Sequence, residues 1–235
     1  MNAVINALQN IGLFLLFLAA RFAVLVVVLA VLTVVFLAGL AVYRVAQAAR
    51  RRSMGLRRVE GLTWLPGVYF SPGHAWMQPR EAGSLRVGLD DLAQHVLARI
   101  SEVILPEPGQ MVRAGEPAAV IRCGKRRAVI PAPVSGRVLA TNRDVAGHPA
   151  RLHNDPYGRG WLYAVQPEAS SYARLPYGEE SKAWFAQEAG RLSKFFEHQL
   201  GMAAADGGEL IAPAPALLTE SQWNEMTESF LQSSH

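Results

Sequence analysis

Between residues 118 and 138 the chain reads AAVIRCGKRRAVIPAPVSGRV. Residues of β type flank Cys123-Gly124-Lys125-Arg126 on both sides. A glycine in so short a connection supplies a backbone conformation that other residues avoid, so the stretch predicts a β-hairpin with Lys125 at an exposed tip. Two similar half-segments surround the turn. Glu107-Pro108-Gly109-Gln110-Met111-Val112-Arg113-Ala114-Gly115-Glu116-Pro117 leads into one strand, and Ile130-Pro131-Ala132-Pro133-Val134-Ser135-Gly136 leads into another.

The same texture extends on either side. From Val68 to about Gln166, short runs rich in Val, Ile and Leu are broken by Gly and Pro, as in a small sandwich or barrel. The runs are Leu85–Leu89, Ala118–Arg122, Arg127–Ile130, Gly136–Thr141 and Trp161–Val165. One interruption has helical spacing: Asp90–Ile100 places Leu92, Val96, Leu97 and Ile100 on one face, with Asp90 or Asp91 as its cap. Gly61–Gly73, rich in Gly, Pro and aromatics, reads as a lead-in loop. Beyond residue 176 the spacing of Trp184, Phe185, Leu192, Phe195 and Phe196 predicts a helix over Glu179–Leu200, its aromatic stripe serving as core or partner-facing packing. Gly201–Pro215 reads as a linker, and Thr219–Leu231 as a last helix capped by Thr219 or Ser221. The fold class is therefore α+β, mainly β.

The amino-terminal part is of another kind. Phe22–Tyr43 contains no charged residue, and a helix of that length spans a hydrocarbon core of roughly 30 Å. No Lys or Arg precedes Arg21, so the segment reads as a retained transmembrane anchor rather than a signal peptide. Residues 1–21 are read as an interfacial segment, because Arg21 near the bilayer midplane costs at least about 2.5 kcal/mol. Arg21 then either snorkels at the membrane edge or pairs with a partner's helix. Arg44, Arg50, Arg51, Arg52, Arg57 and Arg58 follow the span, which predicts a single-pass protein of the plasma (inner) membrane with its N-terminus outside and the remainder cytoplasmic. The expected organisation is residues 1–21 interfacial, 22–43 transmembrane, 44–67 a basic juxtamembrane linker, 68–175 the β domain and 176–235 a helical extension.

Charge and cysteine content narrow the function classes. The formal charge of +4 is unevenly distributed: seven of 23 basic residues lie at or before Arg58, all 19 acidic ones follow it, and the remaining 16 against 19 give −3. A negative soluble part argues against a nucleic-acid partner and assigns the basic excess to the membrane surface. Cys123 is the one cysteine, which excludes an intrachain disulfide and a cysteine-built zinc site. His148 and His153 share a loop without a third ligand, so no metal site is expected. No nucleophile–base pair, phosphate loop or paired carboxylates appear, so no catalytic residue is assigned. His74 and Trp76 read as packing residues.

The landmarks His74-Ala75-Trp76, Arg86-Val87-Gly88-Leu89-Asp90, Leu105-Pro106, Pro108-Gly109, Gly115-Glu116-Pro117, Ala132-Pro133-Val134-Ser135-Gly136, Asn154-Asp155-Pro156-Tyr157-Gly158 and Gly160-Trp161-Leu162 occur in one order. In that order and spacing the region from Tyr69 to about Leu175 resembles the glycine cleavage system H-protein. The resemblance implies a barrel-sandwich hybrid, or lipoyl-like, fold. It also implies a lipoate amide-linked to Lys125, and the role of a carrier in a multienzyme system rather than a catalyst. Implied partners are glycine decarboxylase, aminomethyltransferase and dihydrolipoyl dehydrogenase, or a variant membrane redox complex.

Three departures bear on those partners. The family usually has Glu-Ser-Val before the lysine and Ala after it, whereas this chain has Arg122-Cys123-Gly124 and Arg126-Arg127. The family's Gly-Asp after the short helix is Ala98-Arg99, and the Glu of its Val-Glu-Leu-Pro stretch is Ile104. Complementary charge sets docking and rejects wrong partners, so the chain reads as a specialised homologue with different partners, or as one that has lost the modification. Cys123 is either a small residue suited to the hairpin or a thiol in exchange with the lipoyl group. The chain is therefore expected to be a membrane-tethered lipoyl carrier, an unmodified lipoyl-like scaffold subunit or, last, a membrane-fusion adaptor. The adaptor is opposed by the short connection between the lipoyl halves.

Overall fold

The computed structural model describes residues 2–53, 55–97, 99–200 and 214–232. Most of the expected linker between residues 201 and 215, together with Ala98, lies outside the described residues. The chain divides into a unit ending at Met54 and a unit beginning at Gly55.

The first unit is one helix, α1 (Asn2–Ser53), which continues through Arg21 and the arginine cluster without a break. Its stretch Leu13–Ala46 is 34 residues long with a mean hydropathy of 3.1, enough by length and composition to cross a membrane. Thr33, its lone hydroxyl residue between Phe22 and Tyr43, donates to the Leu29 carbonyl at 2.8 Å, so the hydroxyl is satisfied within the helix.

The second unit begins with a hairpin of β1 (Arg57–Val59) and β2 (Leu62–Trp64). Its turn residues, Glu60 and Gly61, both have positive φ, 48° and 78°, as a type I′ turn requires. Part of the stretch expected as a loop is thus strand. Leu62 and Trp64 are buried on one face, and the Trp64 indole donates to Ser181 Oγ at 3.0 Å. There follow β3 (Tyr69–Phe70), β4 (Ala75–Pro79) and β5 (Leu85–Leu89). Helix α2 (Asp91–Val96) is capped by Asp90, whose carboxylate accepts from the Ala93 N–H at 2.8 Å. It ends at Val96, short of Ile100, because Leu97 turns extended (φ −80°, ψ 119°) toward the next strand.

The chain continues through β6 (Glu102–Ile104), β7 (Met111–Val112), β8 (Pro117–Cys123), β9 (Arg126–Pro131) and β10 (Gly136–Thr141). Short helices α3 (Arg143–Gly147) and α4 (Arg151–Asn154) then precede β11 (Trp161–Pro167). Six strands form one antiparallel sheet in the order β3-β4-β5-β11-β10-β7, and β6-β8-β9 form a second. The Ala114–Ala132 bridge and the bonds Gly115 N to Ala132 O (2.9 Å) and Ala132 N to Glu116 O (2.8 Å) stitch the repeated Pro/Gly turns together. Trp76, Leu85 and Val165 from the larger sheet and Val103, Ile121 and Ile130 from the smaller are buried. An N-terminal helix, a multi-sheet β domain and C-terminal helices make the chain α+β.

Helix α5 (Gly178–Leu200) packs on β1, β2 and β3 through a stripe that includes Phe185, Ala189, Leu192 and Phe196. After α6 (Ala214–Leu217), helix α7 (Glu220–Leu231) starts with a capping box between Thr219 and Gln222. It buries Trp223, Met226, Phe230 and Leu231 while packing on β9 and α2. Each such side chain contributes roughly 1.5–3 kcal/mol on burial, which holds the C-terminal helix on the β domain.

Candidate functional site

Strands β8 and β9 pair with Cys123 opposite Arg126, leaving Gly124 and Lys125 as a two-residue turn. Gly124 has φ +66° and Lys125 does not have positive φ, the pattern of a type II′ turn with glycine first. The turn is pinned from beside: the Gly124 N–H donates to Ser101 Oγ at 3.2 Å, and Ser101 bonds the Arg122 carbonyl through its N–H (2.8 Å) and its hydroxyl (3.1 Å). Lys125 is exposed at this tip, and its amine has no ion-pair partner among the described residues. A primary amine held clear of its neighbours on a rigid turn can be acylated, and a long arm attached there has room to move.

Side chains alternate faces along a strand, so the two arginines after Lys125 go opposite ways. Arg126 shares its face with Cys123. Its guanidinium donates to the carbonyls of Pro215 (3.0 Å) and Leu218, and it lies over the Trp223 ring at 5.1 Å. Arg126 is thus bound to the segment that starts α7. Burial pushes the Cys123 thiol up to about 11, and the Arg126 charge offsets only part of that. The thiol is therefore protonated at neutral pH and is no ready nucleophile, which disfavours the exchange role for Cys123.

On the other face, Glu102, Arg122 and Arg127 are successive cross-strand partners across β6, β8 and β9. Arg122 Nε lies 3.2 Å from Glu102 Oε2, with both side chains more than half exposed. Arg127 is exposed and has no ion pair among the described residues.

A second charged constellation lies in the interior. His74 is fully buried, with φ 56°, an uncommon conformation for a residue with a side chain. Its Nδ1 is 2.9 Å from Asp90 Oδ2, and its Nε2 is 3.4 Å from Glu188 Oε2 in ion-pair rather than hydrogen-bond geometry. Burial alone would lower the imidazole's pKa, but Asp90 and then Glu188 more than offset it, raising the value to about 9. Glu188 also meets Arg191 at 2.8 Å, while Trp184 and Phe230 lie against the imidazole at 5.3 and 6.3 Å between centroids. His74 packs, as expected, but it also carries a charge tying α2, α5 and the aromatic face of α7 together. The sequence signal for this was Glu188, a carboxylate on the apolar stripe of α5. His148 lies 3.7 Å from Asp144 on the exposed surface. Among the described residues no group of three or more His, Cys, Asp or Glu converges to hold a metal.

The chain is similar in sequence to known proteins. The glycine cleavage H-protein family profile matches residues 68–188, slightly more than half of the chain, and reaches into α5 but not α7. A glycine cleavage system H protein of Mycolicibacterium vanbaalenii is 38% identical over 102 residues, 43% of this chain and 78% of that protein. The H protein of Aeromonas hydrophila is 37% identical over 107 residues, 45% of this chain and 83% of that one. The crystal structure of an H protein from Mycobacterium marinum shares 36% identity and covers 46% of this chain and 96% of that one, with a TM-score of 0.41.

Proposed function

Because the chain belongs to the glycine cleavage H-protein family, a family of lipoyl carriers rather than catalysts, we propose that it is a membrane-anchored carrier with lipoate amide-linked to Lys125. The observation that carries this reading is an exposed lysine at the tip of the β8–β9 hairpin, within the segment matched to the family. When attached, a lipoyl group supplies a dithiolane whose disulfide takes up two electrons and a substrate fragment and is reoxidised elsewhere. The chain's own contribution is positional. Gly124 makes the turn, Ser101 pins it, and Lys125 holds the attachment point in solvent, away from the buried Cys123.

The apolar stretch Leu13–Ala46 supplies the anchor, and the arginines after residue 43 orient the carrier domain to the cytoplasmic face of the plasma membrane. Within this arrangement residues 1–21 lie at the outer boundary, 22–43 span, the arginines from Arg44 to Arg52 lie at the basic membrane surface, and the unit that holds the carrier domain begins at Gly55. Tethering raises its effective concentration for membrane partners. Its partners are lipoyl-using enzymes: glycine decarboxylase, aminomethyltransferase and dihydrolipoyl dehydrogenase, or a membrane redox complex in their place.

The test is an anti-lipoyl blot of host membranes carrying the wild-type chain or Lys125→Arg. The carrier reading expects a signal at the wild-type mass that the variant abolishes. No signal from either chain under lipoate-sufficient growth contradicts it and favours the second reading, an unmodified scaffold subunit. The arginines at 122, 126 and 127, beside the lysine, speak for that alternative. Orientation is tested on sealed right-side-out vesicles, in which external protease leaves the C-terminal unit intact if it is cytoplasmic and digests it if not.

A further inference from the structure

The β6–β8–β9 sheet is closed on one side of Lys125 and open on the other. On the closed side, Arg126 is engaged by the Pro215 and Leu218 carbonyls and by Trp223. On the open side, register places Glu102, Arg122 and Arg127 in one cross-strand row and Ile104, Val120 and Val129 in the next. Ile104 is 43% exposed, and Val120 and Val129 are half-buried. The charged row thus lies between an apolar strip on one side and the Lys125 turn on the other.

Arg122 and Arg127 stand directly opposite each other, an arrangement that destabilises a sheet by itself. Glu102 relieves Arg122 alone, while Arg127 and Lys125 are left without counter-charge among the described residues. An anionic surface brought against the row would relieve this repulsion. An apolar centre with a charged margin is also the anatomy of a protein–protein contact. Glu102 within the row selects among anionic partners. A carboxylate there is repelled by a uniformly negative surface, such as acidic lipid headgroups or a nucleic-acid backbone, but fits a protein whose charges alternate in register.

We infer that the outer face of β6–β8–β9 is a docking surface for an acidic patch, with an apolar neighbour, on the protein partner that engages Lys125. That this partner is a lipoyl-using enzyme rests on the carrier reading. Because α7 occupies the other side, this face sets the direction of approach.

The test uses the full chain in neutral-lipid nanodiscs and purified glycine decarboxylase, aminomethyltransferase and dihydrolipoyl dehydrogenase from the same host. Binding is measured at low and high salt for wild type, Arg122→Glu with Arg127→Glu, and Lys125→Arg. At least one enzyme is expected to bind, with affinity falling about tenfold or more in the double charge reversal and on raising salt. Lys125→Arg, which keeps the charge and removes the modifiable amine, should bind as wild type does. The inference is overturned if wild type binds none of the three, if the charge reversal leaves binding unchanged, or if phosphatidylserine vesicles compete as well as the enzyme does. If Lys125 of the wild-type chain isolated from its host is bare and the chain still docks with the same charge dependence, the carrier reading fails and the docking surface stands.

Discussion

The molecule holds its positive charge in two contrasting ways. At His74 a cation in the interior is enclosed by Asp90 and Glu188, with aromatic rings against it and no water-facing surface. At the β8–β9 turn, Lys125 and Arg127 are left in solvent without acidic partners among the described residues, although Arg122 adds repulsion to them. A charge that only holds the fold together has to be neutralised where it is buried. Uncompensated charge on a rigid turn contributes nothing to the fold, so its value lies in what it meets outside the chain. The two arginines of β9 repeat the contrast at one step's distance: Arg126 is spent on α7, and Arg127 faces outward.

The largest effect should come from breaking the buried cluster. His74→Ala leaves the buried Asp90 carboxylate without its cation, while Glu188 keeps Arg191, and should cost roughly 3–5 kcal/mol in denaturant unfolding of the detergent-solubilised chain. A loss under about 1 kcal/mol would mean that the cluster is not a charge pair. The same site predicts a pH dependence. The folded His74 pKa, about 9, lies above the ordinary 6.5, so the folded state binds more protons between those values. Its stabilising contribution is therefore complete below about pH 6.5, shrinks as pH rises, and is lost above about 9. His74→Gln should flatten that slope in unfolding curves taken across the interval.

Smaller effects sharpen the comparison within β9. Arg126→Ala removes two bonds to backbone carbonyls and the contact with Trp223, and should cost roughly 1–3 kcal/mol. Hydrogen exchange should speed up in α7 while β4 and β5 keep their protection. Arg127→Ala, by contrast, should leave both unchanged. Glu102→Gln breaks an exposed ion pair with Arg122 and should shift stability by less than about 1 kcal/mol. A larger loss would show that Glu102 serves the fold rather than the selectivity of the charged row.

What was legible in the sequence follows from how local each determinant is. Leu85–Leu89 and Gly136–Thr141 could be delimited by pattern because Gly, Pro and Asp punctuate them, and they are strands over those residues. Thr219 was one of two candidate caps, and the capping box with Gln222 selects it. The turn at Gly124 and the exposure of Lys125 needed only local chemistry. The β1–β2 hairpin was missed because its strands are three residues each and Glu60, a residue with a side chain, adopts positive φ. The helix starting at Asp91 was overextended because Leu97 and Ile100 continue a helical spacing that the backbone abandons on its way to β6. The ion pair of His74 with Glu188, and the anchoring of Arg126 by residues 215 and 218, join parts of the chain far apart in sequence. No local pattern announces such contacts, and only the docking of α5 and α7 creates them.

The most direct test of the carrier account is the intact mass of the full-length chain extracted from membranes of its native host, followed by fragmentation across Arg122–Arg127. The account predicts a lipoyl increment located on Lys125. A bare Lys125 in lipoate-sufficient cells would contradict it, leaving a membrane-tethered H-protein-like domain that acts through its surfaces alone.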